Sequence, residues 1–259
     1  MMMWSSKKED TRGNKQIKVL YRDDFLFAVA KPAGIFVHRT ALSREKGPFL
    51  LQEARNLFGN HLYPVHRLDR PTSGLVIFAT NPQIAKSLGE AFKRKKIAKT
   101  YIAVVRGWTK DSDTIDKPLI KITEKKDSCS TQPKTQEAIT RYKTIARTEI
   151  PFAVSRYSTS RYSLVLVDPI TGRRHQIRRH FKHIFHPIVG DVLYGDGKHN
   201  KFFRSHFQSN RLLLHSLSIR LKHPVYGHSL KITAHPDPNF QHVLSLLGWK
   251  EIANELIVQ

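Results

Sequence analysis

In HRLDRPTSG, residues 66–74, one carboxylate, Asp69, stands among His66, Arg67 and Arg70, and turn residues follow it. Neighbouring cations favour the ionised form of a carboxylate. An ionised acid is a poor proton donor at neutral pH, but it suits nucleophilic attack or stabilisation of a developing cation. The plainer reading is a charged turn in which Asp69 caps backbone N–H groups. If the stretch is extended, Arg67 and Asp69 point to the same side.

A second basic cluster is TGRRHQIRRH, residues 171–180. The spacing predicts a helix over 173–184 with Ile177, Phe181 and Ile184 on one side. Arg174, Arg178 and Lys182 recur at helical spacing on the other side, where one face can line a site and meet a polyanion. Arg173 and Arg174 near the helix start oppose the helix dipole, which hints at a bound anion. Tyr101 shares a strand face with Ala103 and Val105. It is either a core aromatic or a platform for a base lifted from its stack.

Other chemistries lack their residues. The chain has no phosphate-binding G-x-x-x-x-G-K-[ST] loop, no G-x-G-x-x-G, no H-E-x-x-H and no G-x-S-x-G. His175, His180, His183 and His186 do not converge at helical spacing and are expected to be basic-surface residues, with no metal site. The single Cys129 excludes an internal disulfide and a cysteine-based zinc cluster.

Lys and Arg number 44 against 21 Asp and Glu, a formal net charge of +23. Such an excess repels itself, and a nucleic acid is the simplest compensating partner. Lys93, Arg94, Lys95, Lys96 and Arg179 cluster beside the elements that carry the candidate site and are expected to touch phosphates. No apolar run approaches the roughly 18 residues of a membrane span. A cytoplasmic protein without a membrane partner is expected.

The elements that must position these residues follow from patterning. Residues 1–16 are expected to be a disordered polar tail, 17–250 one catalytic domain and 251–259 a C-terminal tail. IKVLYRDDFLFAVAKPAG predicts two strands around a turn at Asp23 and Asp24, ended by Pro and Gly. A short helix is expected at 50–58, a buried strand at 74–80, and a helix at 81–96 capped by Asn81 with Pro82 behind it. A strand at 100–105 ends at Gly107, and 109–137 is expected to be a long loop or small insert. RYSLVLV, RLLLHSLSIRL and HSLKITA predict further strands, 194–210 a loop, and 238–248 a closing helix. Strands outnumber helices, which predicts an α+β fold with a mixed, largely antiparallel sheet and flanking helices.

These segments together resemble the RluA-type pseudouridine synthases. The resemblance rests on KPAG at 31–34, HRLDRPTSGLVIFA at 66–79, KTYIAVVRG at 99–107, and TGRRHQIRRH at 171–180 followed by HPIVGD, in family order. It implies the pseudouridine synthase catalytic fold and a cofactor-free isomerase that detaches a uracil, turns it and rejoins it through C5. It implies Asp69 as the essential aspartate, Arg67 as the residue filling the gap left by the flipped nucleotide, Tyr101 against the target base, and Arg178 as partner of the aspartate. His66, Arg173, Arg174, Arg179 and the Lys93–Lys96 run are the remaining expected substrate contacts. The implied substrate is tRNA at uridine 65, with a monomer acting alone. A ribosomal RNA hairpin is the alternative substrate, and a non-catalytic RNA binder the alternative function. Asp69 discriminates against the binder, because an anion facing phosphates gains it nothing.

Overall fold

The computed structural model describes residues 17–38, 49–122, 134–252 and 255. The expected N-terminal tail, 1–16, and most of the expected C-terminal tail lie outside the described residues. The chain begins with β1 (Lys18–Arg22), β2 (Leu26–Lys31), α1 (Leu50–Phe58), β3 (Tyr63–Pro64) and β4 (Ser73–Ala79). It continues through α2 (Pro82–Lys93), β5 (Ala98–Arg106), β6 (Ser112–Asp116), β7 (Leu119–Ile120) and β8 (Thr135–Gln136). It closes with β9 (Ile139–Ile150), β10 (Ser160–Pro169), α3 (Gln176–His183), α4 (Gly197–His206), β11 (Leu214–Lys222), β12 (Ser229–Thr233) and α5 (Pro238–Leu246).

Ten strands form one sheet in the order β1-β2-β4-β11-β5-β10-β9-β6, with β12 on β11 and β3 on β4. The seven residues of β4 are all buried, the mark of a central strand covered on both faces. Among the named strands every pairing is antiparallel except one short seam, where β11 runs parallel to β4 at His215↔Ser73 and Ser216↔Gly74. The sheet is therefore mixed and largely antiparallel with flanking helices, an α+β fold as expected.

Side-chain alternation on β5 sorts the helices. Ala103 and Val105 pack with Ile177 and Phe181 of α3, while Ile102 and Val104 pack with Phe203 of α4 and Phe240 of α5. So α3 covers one face and α4 and α5 the other. Tyr101 lies on the α3 face, and Leu68 and α1 join the same side. That face carries the candidate site.

The structure departs from the expected elements in four places. The helix expected from residue 173 begins at Gln176, with His175 before it in a left-handed conformation (φ 56°). Arg173 and Arg174 therefore lie in a loop and do not face the dipole of the first turn. The expected loop at 194–210 contains α4, whose start is capped by Asp196 accepting from the Lys198 and His199 N–H groups. Its buried residues are only His199, Phe202 and Phe203, too short a stripe to register as a helix. The segment 109–137, expected as a long loop or small insert, holds the β7–β8 pair and also β6, an edge strand of the main sheet with one buried apolar residue, Ile115. β9, twelve residues long, was not among the expected strands. Thr140 fills one of its few buried positions, and a bulge at Ile145 breaks its alternation.

The parallel seam explains the glycine that ends the Asp69 loop. Gly74 has φ 113°, and a Cβ there would sit 2.3 Å from the Ser216 carbonyl oxygen. Gly74→Ala must open the β4–β11 contact, and overpacking of this kind costs about 1–3 kcal/mol. Its urea midpoint should fall accordingly, with activity lost alongside. An unchanged midpoint would mean that the seam opens without cost.

Candidate active site

The HRLDRPTSG segment links β3 to β4, and bonds fix it along its length. His66 Nε2 accepts the Ile77 N–H of β4 at 2.9 Å. Its ring packs on Phe92 of α2, with 5.1 Å between centroids. Burial, and then the charge of Lys99, push the His66 pKa down to about 3. The ring is therefore neutral, and the nitrogen facing Ile77 is already occupied. His66 acts as a strut for the loop rather than as the cationic neighbour of Asp69.

The KPAG turn holds the other side. Lys31 is buried, and its Nζ donates to the carbonyls of Pro32, Ile35 and Arg70 at 3.0, 2.8 and 3.0 Å. The Gly34 N–H also reaches Arg70 O at 2.9 Å, and Arg70 Nε returns a bond to Gly34 O at 3.0 Å. Three ammonium hydrogens thus meet three carbonyls. Burial lowers the Lys31 pKa to about 7, with the charge of Asp69 acting in the opposite sense. Arg70 stacks on Phe36, with its guanidinium carbon 5.3 Å from the ring centre. Within the loop, the Thr72 N–H closes a turn on Asp69 O at 3.1 Å.

Arg178 enters from α3. Its Nη1 lies 3.1 Å from Asp69 Oδ2. Its Nε and Nη2 meet the two oxygens of Asp191 at 2.7 and 2.8 Å. The bidentate grip of Arg178 is therefore on Asp191, and Asp69, its expected partner, receives one bond. Side-chain exposure is 6% for Arg178 and 20% for Asp69. It is 1% for Asp191. Arg178 is thus inside the protein, and the exposed basic face expected to run from Arg174 to Lys182 is interrupted there. Burial opposes the charge of Asp191, but Arg178 and the Tyr194 and Leu193 N–H groups outweigh it and hold its pKa below the usual value.

Asp191 was not among the expected site residues, although it ends the HPIVGD stretch that follows the second motif. His175 is a second addition. Its Nε2 lies 3.9 Å from Asp69 Oδ1, and its Nδ1 3.0 Å from the Tyr194 hydroxyl. Burial lowers its pKa despite the charge of Asp69. The basic-surface reading fails for His180 as well. It is buried between the Thr140 hydroxyl and Lys117 O, both at 3.0 Å. No cluster of metal-ligating side chains occurs among the described residues.

These groups open onto a cleft of about 480 Å³. Asp69, Tyr101 and Arg178 line it together, with His66, Arg67, Lys93, Lys95, Arg173 and Arg174. Arg94, Lys96 and Arg179 do not line it; Arg179 Nη1 donates instead to Ile120 O at 3.0 Å. Lys93 is paired with Glu90 at 3.2 Å and Lys95 with Glu137 at 3.3 Å. Arg173 Nε donates to Glu137 O at 2.9 Å. Lys99, inside a motif but not among the expected contacts, also lines the cleft. Burial, ahead of the Asp69 charge, raises the Tyr101 pKa to about 12, so its phenol is neutral. The cleft offers a carboxylate, a neutral aromatic and cations at its rim. That combination suits a nucleotide whose base is out of its stack.

The model of the RNA pseudouridylate synthase family matches residues 25–183, and the chain belongs to that family. It is 44% identical over 237 residues to tRNA pseudouridine synthase C of Vibrio cholerae serotype O1, covering 91% of this chain and 97% of that protein. It is 44% identical over 238 residues to tRNA pseudouridine synthase C of Haemophilus influenzae, covering 91% of this chain and all of that protein. Human RNA pseudouridylate synthase domain containing 1 has the same fold, with a TM-score of 0.64 at 24% identity over 86% of this chain and 84% of that one.

The neutral strut has a pH consequence. The His66 pKa falls from 6.5 to about 3 on folding, so below 6.5 the unfolded chain binds the proton first. The stability tied to this group is complete above about 6.5 and is lost as pH falls toward 3. Urea melts of the wild type should show this decline. His66→Gln, which has no titrating ring, should show a shallower one. Identical slopes would remove His66 from its proposed state.

Proposed function

We propose that this pseudouridine synthase converts uridine 65 of tRNA to pseudouridine, with Asp69 as the essential catalytic group. The observation that carries the role of Asp69 is its setting. It is the acid at the cleft whose one oxygen is tied to a buried guanidinium while its side chain keeps 20% exposure. The names of the relatives support tRNA as the substrate. Position 65 rests on the resemblance of the motifs to tRNA-directed members.

The isomerisation balances within one nucleotide. The C1′–N1 bond breaks, C5 bonds to C1′, the C5 proton is released and N1 gains one. C1′ gains positive character as the base leaves, and a fixed anion beside it stabilises that state. Asp69 acts either by bonding to the ribose or by removing the proton next to it. Tyr101 offers the freed base an apolar ring face, and being un-ionised it does not repel the base's electrons. Arg67, exposed on the loop beside Asp69, fills the gap left in the RNA stack. Flipping costs a few kcal/mol, which contacts between the basic surface and phosphates offset. The groups named come from one chain, which is compatible with the proposed cytoplasmic monomer.

Asp69→Asn keeps the shape and removes the charge. Tritium release from tRNA labelled at uridine C5 should vanish, while tRNA affinity should hold or rise slightly. A transcript with cytidine at position 65 should yield no pseudouridine with the wild type. Substantial turnover by Asp69→Asn would end the assignment of Asp69. Undiminished pseudouridine in the cytidine transcript would end the assignment of the position.

A further inference from the structure

We infer that Lys99 is the cation that stabilises the uracil while it is detached from the ribose. The inference rests on the pseudouridine-forming reading above, with Asp69 at the ribose. When the C1′–N1 bond breaks, its electron pair leaves with N1 and spreads onto O2 and O4 of the ring. Asp69 answers the electron deficit at C1′, by bonding or by taking the C2′ proton. The electron excess on the base needs an answer of its own. A free uracil anion between a carboxylate and a neutral phenol is unfavourable in a partly buried cleft.

Most cations of the cleft are engaged elsewhere. Arg178 holds Asp69 and Asp191. Lys93 and Lys95 are exposed and paired with glutamates. Arg173 is bonded to Glu137 O. Arg67 is assigned to the RNA stack. Lys99 differs from these. It is half-buried, and among the described residues its side chain makes no hydrogen bond or ion pair.

Its position fits the task. Lys99 lies two residues before Tyr101 on β5, so both side chains project from one face of the strand. Tyr101 is the residue set against the base. Across the cleft, Gly172 has no side chain, and a Cβ built there would come 3.9 Å from Lys99 Nζ. The neutral His66 ring is a further neighbour, near enough for the Lys99 charge to help keep it unprotonated. Burial lowers the Lys99 pKa, as expected of an ammonium drawn from water without a counter-charge. Such an arrangement is costly to the fold. It is also what a group preorganised for a transient anion requires.

The test compares wild type, Lys99→Met and Lys99→Arg in single turnover at saturating enzyme. The tRNA carries uridine or 5-fluorouridine at the target position, and loss of the starting nucleoside is followed after digestion. Fluorine at C5 withdraws electrons and stabilises the departing anion without help from the protein. Lys99→Met should slow uridine by roughly 10²–10³-fold, the cost typical of losing one oxyanion donor, and 5-fluorouridine by clearly less. Lys99→Arg keeps the charge and should recover most of the rate. The ratio of the two losses does not depend on the fraction of variant that folds. Equal losses on both nucleosides would overturn the inference. So would a loss confined to tRNA affinity with a salt slope shallower by about 0.7–0.9, the mark of one phosphate contact. A wild type that consumes neither nucleoside would overturn the parent reading, whereas an active wild type with an unimpaired Lys99→Met overturns only the role of Lys99.

Discussion

A single guanidinium, that of Arg178, is shared between two carboxylates, and the geometry of the cleft depends on that sharing. A buried cation is costly unless its charge and hydrogens are satisfied. Asp191 supplies the pairing with two bonds and is itself held by the Leu193 and Tyr194 N–H groups. Asp191 thus aims the fork, and the remaining nitrogen reaches Asp69. A planar fork held on one edge can move little on the other. Asp69 is therefore located by a group that is itself located elsewhere.

Three distant stretches meet at this point, and the sheet is what brings them together. β4 fixes one end of the Asp69 loop through the glycine seam with β11, and β5 beside β11 carries Tyr101 and Lys99. α3 lies on the same face, anchored by Ile177 and Phe181. Lys31 and His66 do quieter work on the loop. One satisfies three carbonyls with a buried ammonium, and the other takes the place of a carbonyl opposite the Ile77 N–H. Both are titratable groups used as struts. They show why charge alone does not mark the residues that meet substrate.

Strong local signals were legible in the sequence. Asn81 followed by Pro82 marks the start of α2, and the unbroken apolar run of β4 marks a central strand. The family resemblance implied Asp69, Tyr101 and Arg178, and these three line one cleft. What escaped has a common cause. β9 and β6 lie at the far edge of the sheet, where few positions are buried and apolar, and a bulge at Ile145 breaks the alternation of β9. Asp191 and His175 are tertiary neighbours, so no periodicity links them to Asp69. The neutral state of His66 depends on burial that no local stretch encodes. Arg173 and Arg174 resembled helix residues because basic composition does not reveal a left-handed residue such as His175 behind them.

The central claim is that Asp69 works because Asp191 aims Arg178 at it. The most direct measurement is the single-turnover rate of pseudouridine formation in tRNA by Asp191→Asn at saturating enzyme, with tRNA affinity measured on the same protein. Asn keeps the size of the side chain and weakens the grip on Nε and Nη2. A misplacement of the order of 1 Å costs about 10²-fold in rate. The account predicts a loss of that order with affinity nearly unchanged, because Asp191 is buried behind Arg178 and does not line the cleft. A variant that turns over at the wild-type rate would contradict it, and would mean that Asp69 holds its position without the arginine clamp.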